Sequence, residues 1–144
     1  MTTVAHILAD KGDDVVTTQP HRTLMEVVEL LSNKGIGAVV VADAAKNVLG
    51  IISERDVVRA LAAGGANVLS ESTSKYMTAK VFTVTEKTPI HSVMETMTAG
   101  RFRHVPVLRD GKLIGLVSIG DVVKHHVNEI ETEHRALRDY IATA

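Results

Sequence analysis

The chain has 144 residues, no cysteine, a formal net charge of −1 and only 3% aromatic residues. These values exclude disulfides, thiolate nucleophiles and Cys-based zinc sites. They also supply no basic field for a nucleic-acid backbone or an anionic membrane, and no aromatic platform for single strands.

At 45% apolar and 23% charged residues, the composition suits one globular domain, or two half-domains sharing a core. Met1 to Asp10 lacks a basic segment followed by a long apolar run, so no signal peptide is expected. The longest apolar runs, such as Ala38 to Ala42, are far too short to span a membrane. The expectation is a cytoplasmic protein with no nucleic-acid and no membrane partner.

In chain order, Val15 to Thr18 predicts a short lead strand. Leu24, Val27, Val28 and Leu31 follow at i, i+3, i+4, i+7, the mark of an amphipathic helix with one buried face. Ala38 to Val41 reads as a strand, Asp43 to Asn47 as a turn and Val48 to Ile52 as a second strand. A helix opens at Ser53 and ends at Gly64-Gly65, and a linker runs to Lys80.

The same order then repeats. Val81 to Thr85 leads. Ile90, Val93, Met94 and Met97 carry the helical spacing. His104 to Leu108 and Leu113 to Val117 flank Arg109-Asp110-Gly111-Lys112, whose Asp-Gly pair favours a tight hairpin. A closing helix opens at Ser118. Thr17, Val27, Val39 and Val41 match Thr83, Val93, Val105 and Val107 at an offset of 66. One residue is then lost in a loop, and Gly50, Ser53 and Asp56 match Gly115, Ser118 and Asp121 at 65.

Each copy therefore reads strand, helix, strand, strand, helix. The predicted class is α+β, with two units packed about a pseudo-twofold axis to cover their sheets. The predicted divisions are residues 1–66, the first repeat with an N-terminal helix; 67–128, the linker and second repeat; and 129–144, an amphipathic helical extension.

The doubled Gly-x-x-Ser-x-x-Asp, the segment Arg103-His104-Val105-Pro106-Val107 and the Met77-Thr78 before copy two resemble a tandem cystathionine-β-synthase (CBS) domain pair, or Bateman module. The resemblance runs from about Val4 to Val127. It implies a stand-alone regulatory module of bacterial type. Such a module binds an adenosine-containing ligand between its repeats and forms a disc-like homodimer.

Taken alone, each Ser with an Asp three residues on is a helix cap, because Ser is a favoured N-cap and the acid can close a capping box. A helix N-terminus also suits phosphate, and a carboxylate can accept hydrogen bonds from a ribose diol. The resemblance gives Ser53 and Asp56, with Ser118 and Asp121, such ligand contacts beside the cap.

It implies that the base lies against Thr17-Thr18 with Ile36-Gly37-Ala38-Val39, and against Thr83-Val84 with Phe102-Arg103-His104-Val105-Pro106. The alternative is that these are core strand residues, above all Val39 and Val105. Copy two has Arg101, Arg103 and His104 where copy one has Gly35, Gly37 and Ala38. A guanidinium can bind two phosphate oxygens. Arg103 is thus the first candidate for a phosphate contact, and Arg55 a weaker one. Solvent-facing side chains are the alternative for both.

No nucleophile elbow, phosphate-binding loop or Gly-x-Gly-x-x-Gly occurs. His125 and His126 are adjacent and point to different faces. Neither an enzyme nor a metal site is expected, and no cofactor is required. AMP leads the expected regulatory ligands, with ADP, ATP, NAD(H) and S-adenosylmethionine beside it. The signal would pass to an unidentified effector protein. The other reading is a structural or interaction homodimer without physiological nucleotide binding.

Val123, Val127, Ile130, His134, Leu137 and Ile141 form a heptad seam broken only by His134. The seam either lies on the chain's own core or meets a second subunit.

Overall fold

The computed structural model describes residues 1–12 and 14–143. Helix α1 (Val4–Lys11) is followed by β1 (Thr17–Thr18), α2 (Leu24–Lys34), β2 (Ala38–Ala42), β3 (Val48–Ser53) and α3 (Glu54–Gly64). Two 3₁₀ turns, Gly65–Ser70 and Thr73–Lys75, lead to the second copy. That copy comprises β4 (Val84–Thr85), α4 (Ile90–Gly100), β5 (His104–Arg109), β6 (Lys112–Ser118) and the 25-residue α5 (Ile119–Thr143).

The predicted α+β repeat is present. Strands β1-β2-β3 form one sheet and β4-β5-β6 the other, each with a parallel pair followed by an antiparallel pair. The irregularity falls at the same step in both copies, between Val41 and Ala42 and between Val107 and Leu108.

The lead strands are shorter than the predicted Val15 to Thr18 and Val81 to Thr85, because only two residues of each pair with β2 or β5. Val15 and Val16 instead leave the sheet edge and line a cleft.

Local sequence explains the ends of α2. Thr23 accepts the Glu26 N–H and Glu26 reaches back to the Thr23 N–H, a reciprocal cap. Gly35 ends it at φ 63°, a left-handed conformation that glycine adopts freely. Arg101 ends α4 at φ 57°, in the conformation that Gly35 supplies in copy one.

The core has three parts. Leu24, Val27, Val39, Val41 and Ile52 pack together in the first repeat, and Ile90, Val93, Val105, Val107 and Val117 in the second. A third cluster joins Val40 and Ala42 of β2 to Leu113 of β6. Successive strand side chains point to opposite faces. Val39 and Val41 therefore serve their own repeat, while Val40 and Ala42 face the other one. This is why β2 is buried on both sides. The Leu113 N–H bonds the Lys46 carbonyl at 3.0 Å, and Lys112 Nζ reaches Asn47 Oδ1 at 2.7 Å, tying the hairpins together.

The segments ahead of each repeat pack crosswise. Val4 and Ile7 of α1 are fully buried in the second repeat's core, whereas Val68, Tyr76 and Met77 of the linker pack on the first. The Val4 N–H bonds the Thr88 carbonyl, and the Thr73 N–H bonds the Arg22 carbonyl, in equivalent places. Leu8 lies over Gly115 as Met77 lies over Gly50. A Cβ on either glycine would come within 2.7 Å of a neighbour, the Thr78 backbone carbonyl at Gly50 and only the end of the Leu8 side chain at Gly115.

Helix α5 turns its heptad seam away from the chain's own core. Val127, Ile130, Leu137 and Ile141 are 44%, 50%, 56% and 65% exposed. No helix among the described residues is long and apolar enough to cross a membrane.

Candidate functional site

Two equivalent corners lie where a hairpin passes into a helix. Ser53 ends β3 and Ser118 ends β6, and each faces the first residue of its partner strand, Ala38 or His104. Ser53 Oγ accepts the Asp56 N–H at 3.3 Å, while Asp56 Oδ2 accepts the Ser53 N–H at 2.8 Å and its O–H at 2.9 Å. The second corner repeats this arrangement, at 3.2 Å for the Asp121 N–H and 2.9 Å for both Ser118 donors.

The cap read from sequence is thus formed in both copies. The next helix N–H also bonds the carbonyl of the residue just ahead of a strand, Glu54 to Gly37 at 2.9 Å and Ile119 to Arg103 at 2.8 Å. These bonds hold the start of β2 and β5 over the corners.

A cleft of about 440 Å³ opens at the second corner, with Ile36, Gly37 and Ala38 of the first repeat on one side. His104, Leu116 and Ser118 of the second repeat lie opposite, and Lys11, Asp14, Val15 and Val16 complete the wall. The repeats come close here: a Cβ built on Gly37 would lie 3.7 Å from His104 Cε1 and 3.8 Å from the Glu54 carboxyl.

Lys11 Nζ lies 2.8 Å from Asp121 Oδ2 and donates to the Leu116 carbonyl at 2.8 Å. Burial tends to raise the Asp121 pKa. The Lys11 ammonium and the Ser118 N–H and O–H outweigh it and hold the carboxyl below its usual range. His104 is pushed the same way, first by burial and then by the Lys11 charge, against the opposing Asp121 and Glu54 carboxylates.

Of the predicted ligand residues, this cleft gathers Ile36, Gly37, Ala38, His104 and Ser118, with Asp121 held against its lysine. Ser53 and Asp56 form the first corner, half-buried. Val39 and Val105 have no exposed surface, and Val84 and Pro106 are buried.

Thr17 is exposed and lines a second groove, of about 670 Å³, with Leu8, Lys46 and Glu86. Thr83 is half-buried, and Arg55, Arg101 and Arg103 are exposed. Phe102 stacks on Phe82 at 6.1 Å between ring centres and packs against the second core. No cluster of three or more His, Asp or Glu that could hold a metal occurs among the described residues.

Sequence reasoning missed Lys11, Asp14, Val15, Val16, Gly35 and Leu116. The signal for Lys11 lay in the crossing segments. Leu8 and Met77 occupy equivalent places, and three residues beyond each stands a lysine, Lys11 and Lys80.

The family model described as CBS domain matches residues 4–63 and 74–128. A solved CBS-domain containing protein from Agrobacterium tumefaciens is 48% identical, with a TM-score of 0.84, over 87% of this chain and 99% of that one. A CBS domain protein from Pyrobaculum aerophilum, complexed with AMP, is 28% identical with a TM-score of 0.75, over 83% and 89%. The CBS domain pair of protein MJ0100, in complex with 5-methylthioadenosine and S-adenosyl-L-methionine, is 25% identical with a TM-score of 0.78, over 87% and 99%.

Proposed function

The chain belongs to the CBS-domain family, and from that premise we propose that it is a regulatory module binding an adenosine-containing ligand between its repeats. One observation carries this reading. A cleft of ligand size brings backbone from Ile36-Gly37-Ala38 of one repeat against the Ser118-Asp121 corner of the other. Its volume, about 440 Å³, lies within the ~300–1,000 Å³ usual for small-molecule sites. The AMP complex of the Pyrobaculum protein and the methylthioadenosine and S-adenosylmethionine complex of MJ0100 support the ligand class.

In this reading the ribose diol bonds Asp121, the base lies along Ile36 to Ala38, and the N-terminus of α5 faces the anionic group. AMP is the first ligand to test, with ATP and NAD(H) next. Ser53 and Asp56 would serve the equivalent corner, where Arg103 stands at the repeat position of Gly37.

The module acts by binding, without turnover, and its output goes to an effector protein. A ligand signals only if it binds one arrangement of the repeats more tightly than another. The exposed seam of α5, with Met25 and Val58 also exposed on α2 and α3, supports a homodimer.

The same apolar surface favours a second reading, an interaction homodimer whose clefts take no physiological nucleotide. Thermal shift with AMP, ADP, ATP, NADH and S-adenosylmethionine separates the two. A ligand at one hundred times its Kd adds ~2.7 kcal/mol, several degrees for a chain of this length. The sensor reading expects one ligand to do so, to lose the effect in Asp121→Ala and to be recovered unchanged. Silence from every ligand, with a dimer by light scattering, would favour the second.

A further inference from the structure

The two corners share every internal hydrogen bond, but among the described residues only the second carries a cation from elsewhere in the chain. Asp121 Oδ2 receives three donors, the Ser118 N–H, the Ser118 O–H and Lys11 Nζ. Asp56 Oδ2 receives the two from Ser53, and no ion pair among the described residues joins it to Lys80, the counterpart of Lys11. Lys11 comes from the last turn of α1 and spans 110 positions to reach its partner. It is the only lysine or arginine among the described residues lining the 440 Å³ cleft, whose other charged wall residue is the Asp14 carboxylate.

This placement has a chemical consequence for whatever takes the Asp121 carboxylate. A diol that displaces the ammonium leaves Lys11 in the cleft with one of its two hydrogen bonds, that to the Leu116 carbonyl. A neutral ligand gives it nothing in return. An anionic group on the same ligand accepts the freed ammonium, so charge pairing is exchanged and not lost. The lysine has room for the exchange: it ends a helix at Gly12, its side chain is 39% exposed, and its four-carbon stem is flexible.

We propose that Lys11 is a specificity-determining residue. It pairs with the Asp121 carboxylate and makes this cleft select anionic nucleotides over neutral nucleosides. The inference rests on the ligand-binding reading above and adds the charge that the ligand must carry.

The test is isothermal titration of AMP and of adenosine into the full chain. Asp56→Ala is present throughout, so that the second corner alone is read. Three proteins are compared: Lys11 retained, Lys11→Met and Lys11→Arg. With Lys11 retained, AMP should bind at least about tenfold tighter than adenosine. Lys11→Met should bind adenosine several-fold more tightly, because Asp121 is released, and the AMP preference should fall by about tenfold. Lys11→Arg should keep the preference, which separates a charge effect from a packing effect.

An unchanged ratio of AMP to adenosine in a folded Lys11→Met protein overturns this inference and leaves the ligand-binding reading standing. Absence of binding by any of the three folded proteins overturns that reading and this inference with it.

Discussion

The two repeats have the same strands, the same capped corners and the same glycine crossings, yet they differ in what is laid over them. The first repeat is covered by the linker that follows it, with Met77 and the Thr78 carbonyl over Gly50. The second is covered by the chain's first helix, with Leu8 over Gly115 and Lys11 in the corner. Duplication fixed the frame, and the covering segments made the two halves chemically unequal. Asymmetry in a repeat protein therefore need not arise within the repeat.

The largest expected break in this comparison is Ile7→Ala. Ile7 is fully buried, and truncation of such a side chain costs about 2–5 kcal/mol. Hydrogen exchange should then quicken in β5 and β6 before β2 and β3, although Ile7 precedes the first repeat. Faster exchange in β2 and β3 instead would assign α1 to the wrong core.

Gly50→Ala should come next, at about 2–3 kcal/mol by urea unfolding. The added methyl meets the Thr78 carbonyl at 2.7 Å, and that backbone is pinned by two hydrogen bonds to Ile51. Gly115→Ala meets only the end of the Leu8 side chain, which can turn away, so its cost should be about 1 kcal/mol or less. Equal costs would mean that the two crossings are equally rigid.

Ser53→Ala and Ser118→Ala should each lose about 1 kcal/mol, the usual worth of an N-cap. Near-equal losses would show that the corners are mechanically alike despite the lysine.

The smallest effect is one of pH. His104 has its pKa held below the ordinary 6.5 in the folded state, so the unfolded chain binds its proton first. Stability from this group is complete above pH 6.5 and is lost as pH falls toward the folded-state value. Copy one has Ala38 at this place. Urea midpoints at pH 7.5 and 5.5 should diverge less for His104→Gln than for the parent chain, and an equal divergence would place the acid sensitivity elsewhere.

Much of the frame was legible because it is local. The i, i+3, i+4 spacing of Leu24, Val27 and Val28, the Asp110-Gly111 turn and the Ser-x-x-Asp caps act over a few residues, and the duplication shows each twice. The seam of α5 was legible as a pattern. Its neighbour was not, because the same spacing serves a helix on its own core and one facing outward.

Among the expected contacts, Val39 and Val105 turn into the core by the strand's two-residue period. Thr17 comes out beside another groove, because β1 meets β2 at Val40 and not at the corner. Lys11 was hidden by distance in sequence: its meeting with Asp121 depends on α1 crossing to the far repeat, which no short-range pattern encodes.

That crossing also orders events on the ribosome. The linker emerges just behind the sheet it covers, so the first repeat can close as soon as it is made. Helix α1 emerges before either repeat, and its seat is complete only when the strand bearing Gly115 arrives. At ~5–20 residues per second, its apolar stripe of Val4, Ile7 and Leu8 waits roughly 5–20 s without a partner, a long-range closure of the kind that slows folding. Helix α1 is therefore made before its seat and docks late, and a nascent chain stalled before β6 would display that stripe to any chaperone within reach.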